Sequence, residues 1–415
     1  MKYKILNTDN IIKYLKSIEN IKKYFGEDNL IAKEIGDGNL NFVFLVLSCD
    51  DSSKALIVKQ AVPYIRCLGE EYLLKKERMT YEIRSLRIFG TISPDFITKL
   101  YFTCESMSVL VMQYLDNHTI LRGSMIDKIK YNKFSDHIST YLSKVLFHTS
   151  SLYLSSEQKN ELQDKFNGNN EMCKLTEDYV FTFAFMQHPS NDTANIKNNP
   201  LANKIFDDTK FKEKVLQLKY IFMNSTDCLL HGDLHTGSIM LNTNETYIID
   251  SEFAFVGPFG FDIGALLANL TSAYIHHTIV SKDEEYKKWI LKTIYDILTM
   301  FKNKFLQLWQ QTKDSALITD GFVDNTTLKN YKNSFIQNII RQSVGFAGCE
   351  MIRRIFGAAG VDEIRGIKDK NSKDKAEILV FDIGRKFVIE YNDINSPEDI
   401  ISTITKCESL TKNIT

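Results

Sequence analysis

Two short apolar strands, each running into a loop with carboxylates, constrain this chain more than any other feature. Cys228-Leu229-Leu230 leads into His231-Gly232-Asp233-Leu234-His235-Thr236-Gly237-Ser238, and Thr246-Tyr247-Ile248-Ile249 leads into Asp250-Ser251-Glu252. β-Branched and aromatic runs of this kind read as strands. Adjacent strands would bring both loops to one cleft. There Asp233 can accept a hydroxyl proton and position the acceptor, while Asp250 and Glu252 offer hard oxygen ligands for Mg2+ on ATP. A lone loop carboxylate is more often a turn former. The combination predicts a phosphotransfer site.

The N-terminal third carries the nucleotide side. After a lysine-rich helical segment at about 9 to 25, the strand at 31–35 meets Gly36-Asp37-Gly38-Asn39-Leu40-Asn41, then the strand at 42–47. Strand, glycine turn, strand allows a phosphate chain close to the backbone at Gly36 and Gly38, and fits neither a Rossmann turn nor a Walker loop. Asn41 stands where the protein-kinase pattern has its third glycine, so that motif is partly met. A plain hairpin turn is the alternative.

Ala55-Leu56-Ile57-Val58-Lys59-Gln60 is a strand ending in lysine, similar to the kinase Val-Ala-Ile-Lys strand. Lys59 there reaches the α- and β-phosphates and needs a helix carboxylate to hold it. On a predicted helix from about 70 to 90, Met79, Ile83 and Leu86 form an apolar stripe with Glu82 on the same face, so Glu82 points inward. Glu77 is an alternative partner. Ser108-Val109-Leu110-Val111-Met112 is a further strand, and Met112, Gln113 and Tyr114 fall where a kinase hinge binds adenine through its backbone.

Composition excludes several classes. With 415 residues and 44% hydrophobic content the chain can bury a large core, and division into two units is expected. A formal net charge of −1 gives no sign of a nucleic-acid groove or a polybasic membrane anchor. Seven cysteines, at 49, 67, 104, 173, 228, 349 and 407 with no CxxC pair, favour reduced thiols over a disulfide framework or zinc site. Met1-Lys2-Tyr3-Lys4-Ile5 lacks a signal-peptide core, and no apolar run approaches the roughly 20 residues of a membrane span. A cytoplasmic protein is expected.

Beyond residue 115 amphipathic stretches predict helices near 134–154, 203–223, 283–311, 328–357 and 374–392, with a loop at 187–200 and a short cap or frayed end after 395. The fold class expected is α+β and bilobal, like a protein kinase. A small β-rich nucleotide-binding lobe (1–114) precedes a large, mainly helical catalytic and substrate-binding lobe (115–415).

Several runs together resemble the S-methyl-5-thioribose kinase family. They are Gly36 to Phe44, Val58 to Arg66, His231 to Ser238, Asp250-Ser251-Glu252-Phe253-Ala254-Phe255, Gly257-Pro258 and Gly260-Phe261-Asp262-Ile263-Gly264. The resemblance implies the fold of aminoglycoside and choline kinases. It also implies ATP and Mg2+, transfer of the γ-phosphoryl group to the anomeric hydroxyl of methylthioribose in methionine salvage, and a homodimer. An Asp-x-Glu triplet is the family's expected form. Protein kinases place a metal-binding asparagine five residues after the catalytic aspartate; here Ser238 stands there, and Glu252 can replace the missing oxygen.

The resemblance also assigns sugar and phosphoryl contacts to Arg353 and Arg354, whose guanidinium forks suit oxygen-rich groups. Arg341, three turns earlier, is a weaker candidate, and the residues alone favour solvated helix arginines. Asp262 is expected to brace the Asp233 loop, and His235 to orient that loop or bind product. Another small-molecule kinase of this fold, for an aminoglycoside, choline or homoserine, would share Lys59, Asp233 and Asp250. A non-catalytic nucleotide-binding protein would usually lack the base or a metal ligand, and none is missing here.

Overall fold

The computed structural model describes residues 3–35, 40–66, 69–192, 200–312, 314–319 and 321–412. Its N-terminal part is built on a five-stranded antiparallel sheet in the order β1-β2-β3-β7-β6. The strands are β1 (Leu30–Glu34), β2 (Asn41–Ser48), β3 (Ala55–Ala61), β6 (Leu100–Cys104) and β7 (Val109–Gln113), with the small ribbon β4 (Tyr64–Ile65) and β5 (Gly69–Leu73) beside them. The expected segment at 9–25 is split into α1 (Ile11–Lys16) and α2 (Glu19–Phe25). Their Ile11, Leu15, Ile21 and Phe25 share a core with Phe44, Val46, Leu56 and Val58 on one face of the sheet.

The other face is covered by α3 (Arg78–Ile92), whose Met79, Ile83, Leu86 and Phe89 are buried. This corrects the expected helix at 70–90, because residues 69–73 pair as β5 instead. Gly69, at φ +111°, starts that strand in a conformation no helix uses.

The C-terminal part is mostly helical. Its elements are α4 (Leu121–Ile126), α5 (Phe134–His148), α6 (Ser156–Phe166), α7 (Asn170–Tyr179), α8 (Pro200–Phe206), α9 (Thr209–Asn224), α10 (Gly260–His276), α11 (Glu284–Gln311), α12 (Asn325–Phe356), α13 (Asp362–Arg365), α14 (Lys370–Glu390) and α15 (Pro397–Lys412). Residues 203–223 are therefore two helices, broken at 207–208. The chain after 395 is not a frayed end: α15 buries Ile400 and Ile404, and Glu408 accepts a hydrogen bond from Lys287 of α11 at 2.7 Å. Apolar residues one turn apart gave that helix a face to bury.

α10 escaped the amphipathic reading because it is buried on every side, leaving no polar stripe to mark its period. It packs along α12. At Gly264 an added Cβ would stand 2.7 Å from the Ser343 backbone oxygen, so only glycine permits this approach. That contact seats the first turn of α10, and with it Asp262.

Two small sheets carry the loops of interest. β8 (Thr119–Ile120), β10 (Ile239–Leu241) and β11 (Thr246–Ile248) form one, in the order β11-β10-β8; β9 (Cys228–Leu230) pairs with β12 (Phe255–Gly257) in the other. The expectation that 228–230 and 246–249 are adjacent strands is thus corrected. β11 is captured by its hairpin neighbour β10 and β9 by the more distant β12, and the two loops meet through hydrogen bonds instead. Ile249 N–H donates to Ser238 O at 3.0 Å, and His231 Nε2 donates to Ile249 O at 2.8 Å. Among the described residues, no helix is long and apolar enough to cross a membrane.

Candidate active site

A cleft of about 960 Å³ opens between the five-stranded sheet and the two loops. It is lined by Asn41, Lys59 and Glu82 from the sheet side, by Met112, Gln113 and Tyr114 where β7 ends, and by Asp233, Asp250 and Glu252 from the loops. Gly36 and Gly38 lie outside the described residues. The strands that flank their turn pair as the sequence implies, Glu34 opposite Phe44.

The loop of Asp233 is held by backbone bonds. Both oxygens of buried Asp262 accept from it, Oδ2 from His231 N–H at 2.7 Å and Oδ1 from Gly232 N–H at 3.0 Å. Gly232 adopts φ +83°, and a Cβ there would stand 2.2 Å from the Phe253 backbone oxygen. No other residue fits. Because a carbonyl can only accept, His231 carries its proton on Nε2 toward Ile249 O, which leaves Nδ1 to accept from Asp233 N–H at 3.2 Å. Ser238 is buried and donates its hydroxyl to the Asp233 backbone oxygen at 3.0 Å, so it braces the loop.

The Asp233 carboxylate itself is one-third exposed to the cleft, with His235 Nε2 at 3.5 Å from Oδ2. Burial lowers the His235 pKa to about 4, against the pull of Asp233. A neutral ring accepting from Gly237 N–H at Nδ1 (3.0 Å) presents an Nε2–H to Asp233, so His235 can orient the carboxylate without charging.

Opposite stands a dense charge cluster. Lys59, 5% exposed, donates to Glu82 Oε1 at 2.8 Å and to Asp250 Oδ1. Burial alone pulls the Lys59 pKa down, but Asp250, Glu82 and Glu252 outweigh it and hold the ammonium well above its ordinary value. Burial pushes the Glu82 carboxyl up to about 7, against Lys59. Glu77, the alternative partner, sits at the surface with Lys76 at 2.9 Å. For Asp250, burial is outweighed by Lys59, and its carboxyl falls below the usual range. Asp250 adopts φ +71°, a conformation costly for most residues but commoner for aspartate, which turns its half-exposed side chain into the cleft.

Glu252 is buried and bound on one oxygen. Its Oε2 accepts from Asn41 Nδ2 at 2.8 Å and lies 3.2 Å from Arg78 Nε. Burial raises its pKa against Lys59 and Arg78. Among the described residues no group of three or more His, Cys, Asp or Glu forms a preformed metal site. Two carboxylates facing one cleft nevertheless suit Mg2+, which commonly takes one or two protein carboxylates with the rest from phosphate and water.

The arginine pair is placed differently from the solvated alternative. Arg353 and Arg354 are both buried near the end of α12 and share Glu350. Glu350 receives Arg353 Nη2 at 2.7 Å and Arg354 Nε at 2.9 Å. Burial works against ionisation of Glu350, but the two guanidinium groups outweigh it and bring its pKa to about 2. Burial takes Arg354 down to about 10, with Asp233 among the charges supporting it. Arg341 is turned to Asn395, whose Oδ1 accepts from its Nε at 2.6 Å.

Two participants escaped the sequence reading. Glu350 was legible, since a carboxylate three and four residues before two arginines faces both on a helix. Arg122 lines the cleft with Asp233, His235 and Gly237. Its signal was a cation in a helix's first turn, where the dipole opposes it.

Comparison with known proteins decides the family. The model of the phosphotransferase enzyme family (APH) matches residues 193–287. Methylthioribose kinase 1 of Oryza sativa subsp. japonica is 36% identical over 385 residues, 90% of this chain and 89% of that protein. Methylthioribose kinase of Bacillus cereus (strain AH820) is 36% identical over 404 residues, 97% of each. This chain belongs to the methylthioribose kinase family. It is accordingly an ATP-dependent kinase. Among solved structures, a choline kinase from Cryptosporidium parvum Iowa II superposes with a TM-score of 0.45 at 10% identity, over 98% of this kinase and 95% of that chain.

Proposed function

We propose that this kinase transfers the γ-phosphoryl group of ATP to the C1 hydroxyl of S-methyl-5-thio-D-ribose, giving S-methyl-5-thio-α-D-ribose 1-phosphate and ADP in methionine salvage. The observation that carries the reading is the meeting of Asp233, Lys59, Asp250 and Glu252 in one cleft of a chain that its curated relatives match nearly end to end.

In this reading residues 1–114 form the nucleotide lobe and 115–415 the catalytic and substrate lobe. Gly36, Gly38 and Asn41 approach the phosphates, Lys59 held by Glu82 neutralises the α- and β-phosphates, and Met112, Gln113 and Tyr114 receive adenine. Asp250 and Glu252, with Ser251 between them, hold Mg2+, which when bound neutralises charge on the β- and γ-phosphates. Asp233 holds the C1 hydroxyl in line and takes its proton as the bond to phosphorus forms. Arg353 and Arg354, fixed by Glu350, supply positive charge where charge builds on the transferred group and the sugar oxygens. A homodimer, on family likeness, and a cytoplasmic location, on cysteines whose scatter favours reduced thiols, complete the proposal.

ADP release with ATP and Mg2+, measured in parallel on methylthioribose, kanamycin, choline and homoserine, tests it. Substantial turnover is expected with methylthioribose alone. Comparable rates with another acceptor would overturn the substrate and leave the kinase.

A further inference from the structure

One face of α3 reaches every residue of the Asp250-Ser251-Glu252 triplet, directly or through Lys59. Arg78, Glu82 and Ser85 follow one another at helical spacing and are all buried. Glu82 reaches Asp250 through Lys59. Ser85 Oγ meets Ser251 Oγ at 2.7 Å. Arg78 Nε lies 3.2 Å from Glu252 Oε2. The pairing of a strand lysine with a helix carboxylate is already part of the nucleotide site; the contacts of Arg78 and Ser85 add a second and third point of attachment.

Arg78 is the member with the most to hold. It is 2% exposed, and all three nitrogens of its guanidinium are bonded. Nη1 donates to Val62 O and to Lys75 O, each at 2.9 Å, and Nη2 donates to Leu40 O at 2.7 Å. Nε faces both Asn41 Oδ1 at 3.2 Å and Glu252 Oε2. Asn41 completes a triangle by donating Nδ2 to that same Glu252 oxygen at 2.8 Å. These contacts fall on Oε2, and none of them falls on Oε1. The carboxylate's rotation is thereby fixed by a guanidinium that is itself immobilised by backbone carbonyls of Leu40, Val62, Leu74 and Lys75. The Glu252 backbone is tied separately, its oxygen accepting from Asn169 Nδ2 at 2.9 Å.

We propose that Arg78 is a positioning residue that sets Glu252 for a divalent cation, so that α3, through Arg78, Glu82 and Ser85, holds the whole triplet in register with the nucleotide lobe. The inference rests on the reading of Glu252 as a metal ligand. Two physical effects oppose each other here. A guanidinium beside a carboxylate competes with a cation by charge, whereas a fixed carboxylate oxygen meets the demanding octahedral geometry of Mg2+ without reorganisation. The second effect wins when hydrogen-bonding partners orient a ligand; removing such partners typically lowers metal affinity by about 10- to 100-fold.

The test is calorimetric binding of a non-hydrolysable ATP analogue, with and without Mg2+, to the parent, Arg78→Gln, Arg78→Lys, Glu252→Gln and the Arg78→Gln/Glu252→Gln double variant. In Arg78→Gln the Mg2+-linked gain in affinity should fall by about 10- to 100-fold, while metal-free binding stays at the parent value. Arg78→Lys should fall between, since an ammonium keeps the charge but cannot span the same partners. In the double variant, loss of Arg78 should add nothing to the loss from Glu252. A merely structural Arg78 would depress metal-free binding as well and would act on top of Glu252→Gln, and that result overturns the proposal. So does an unchanged or larger Mg2+-linked gain in Arg78→Gln or, if that variant does not fold, in Arg78→Lys. If Glu252→Gln itself keeps the full gain, the reading of Glu252 as a ligand falls, and the Arg78 proposal with it.

Discussion

The two sides of Asp233 are built from the same kinds of charge with opposite balance. On the α3 side, Glu82, Asp250 and Glu252 share two cations among the described residues, Lys59 and Arg78. On the α12 side, Arg353 and Arg354 share the carboxylate of Glu350. One cluster carries a surplus of carboxylate, the other a surplus of guanidinium, which under the proposed reading suit a cation and oxygen-rich groups. Partial compensation is what makes either surplus affordable inside a protein, because an unpaired buried charge costs several kcal/mol while a fully paired one has nothing left to offer a ligand. Asp233 lies between them on a loop braced almost entirely by backbone bonds, so its carboxylate stays available.

The comparison breaks first at its centre. Asp233→Asn keeps size and much of the hydrogen bonding but removes the acceptor charge. Turnover should fall by about 10²- to 10⁴-fold. The lower end is expected if a loose transition state needs positioning more than early proton removal. Calorimetry should show ATP binding retained, since neither cluster is touched. A folded variant working within a few-fold of the parent would remove Asp233 from this role.

Next comes the carboxylate that the arginine pair shares. Glu350→Gln removes the buried counter-charge that both guanidinium groups hold, and unfolding by urea should show a loss of about 3–5 kcal/mol. The pH dependence follows from its pKa of about 2, below the usual glutamate value of 4.5. A depressed folded-state pKa gives stability that is complete above the unfolded value and fades as pH falls from about 4.5 to about 2. The parent should lose this contribution across that window and Glu350→Gln should not. Matching acid-unfolding curves would show that the arginines are compensated elsewhere.

The smallest effect sharpens the α3 side. Ser238 stands where protein kinases carry a metal-binding asparagine, yet its hydroxyl is spent on Asp233 O. Ser238→Ala should cost about 0.5–1.5 kcal/mol of stability, the net value of one such bond, and leave the Mg2+ dependence of turnover unchanged. A shifted Mg2+ dependence would make Ser238 a ligand.

Much of this was legible in the sequence for physical reasons. Lys59 ends an apolar strand, and Glu82 lies within an apolar helical stripe, so burial forced them together. Gly232 and Asp262 belong to runs whose chemistry has few alternatives. What stayed hidden depends on three-dimensional pairing. Nothing local separates Arg78 from an ordinary helix arginine, because its partners at 40, 41, 62 and 252 are scattered. The strand pairings of 228–230 and 246–248 were misassigned for the same reason: both are three residues long, and register between short strands is decided by tertiary contacts. α15 was lost to its terminal position, although Ile400, Ile404 and Cys407 already marked a helical face.

The most direct test is where the phosphate goes. With methylthioribose, ATP and Mg2+, phosphorus NMR of the product should show the new resonance coupled to the C1 proton of the sugar, as expected if Asp233 holds that hydroxyl between the two clusters. Phosphate on another carbon, or ATP consumed without a phosphorylated sugar, would contradict the account.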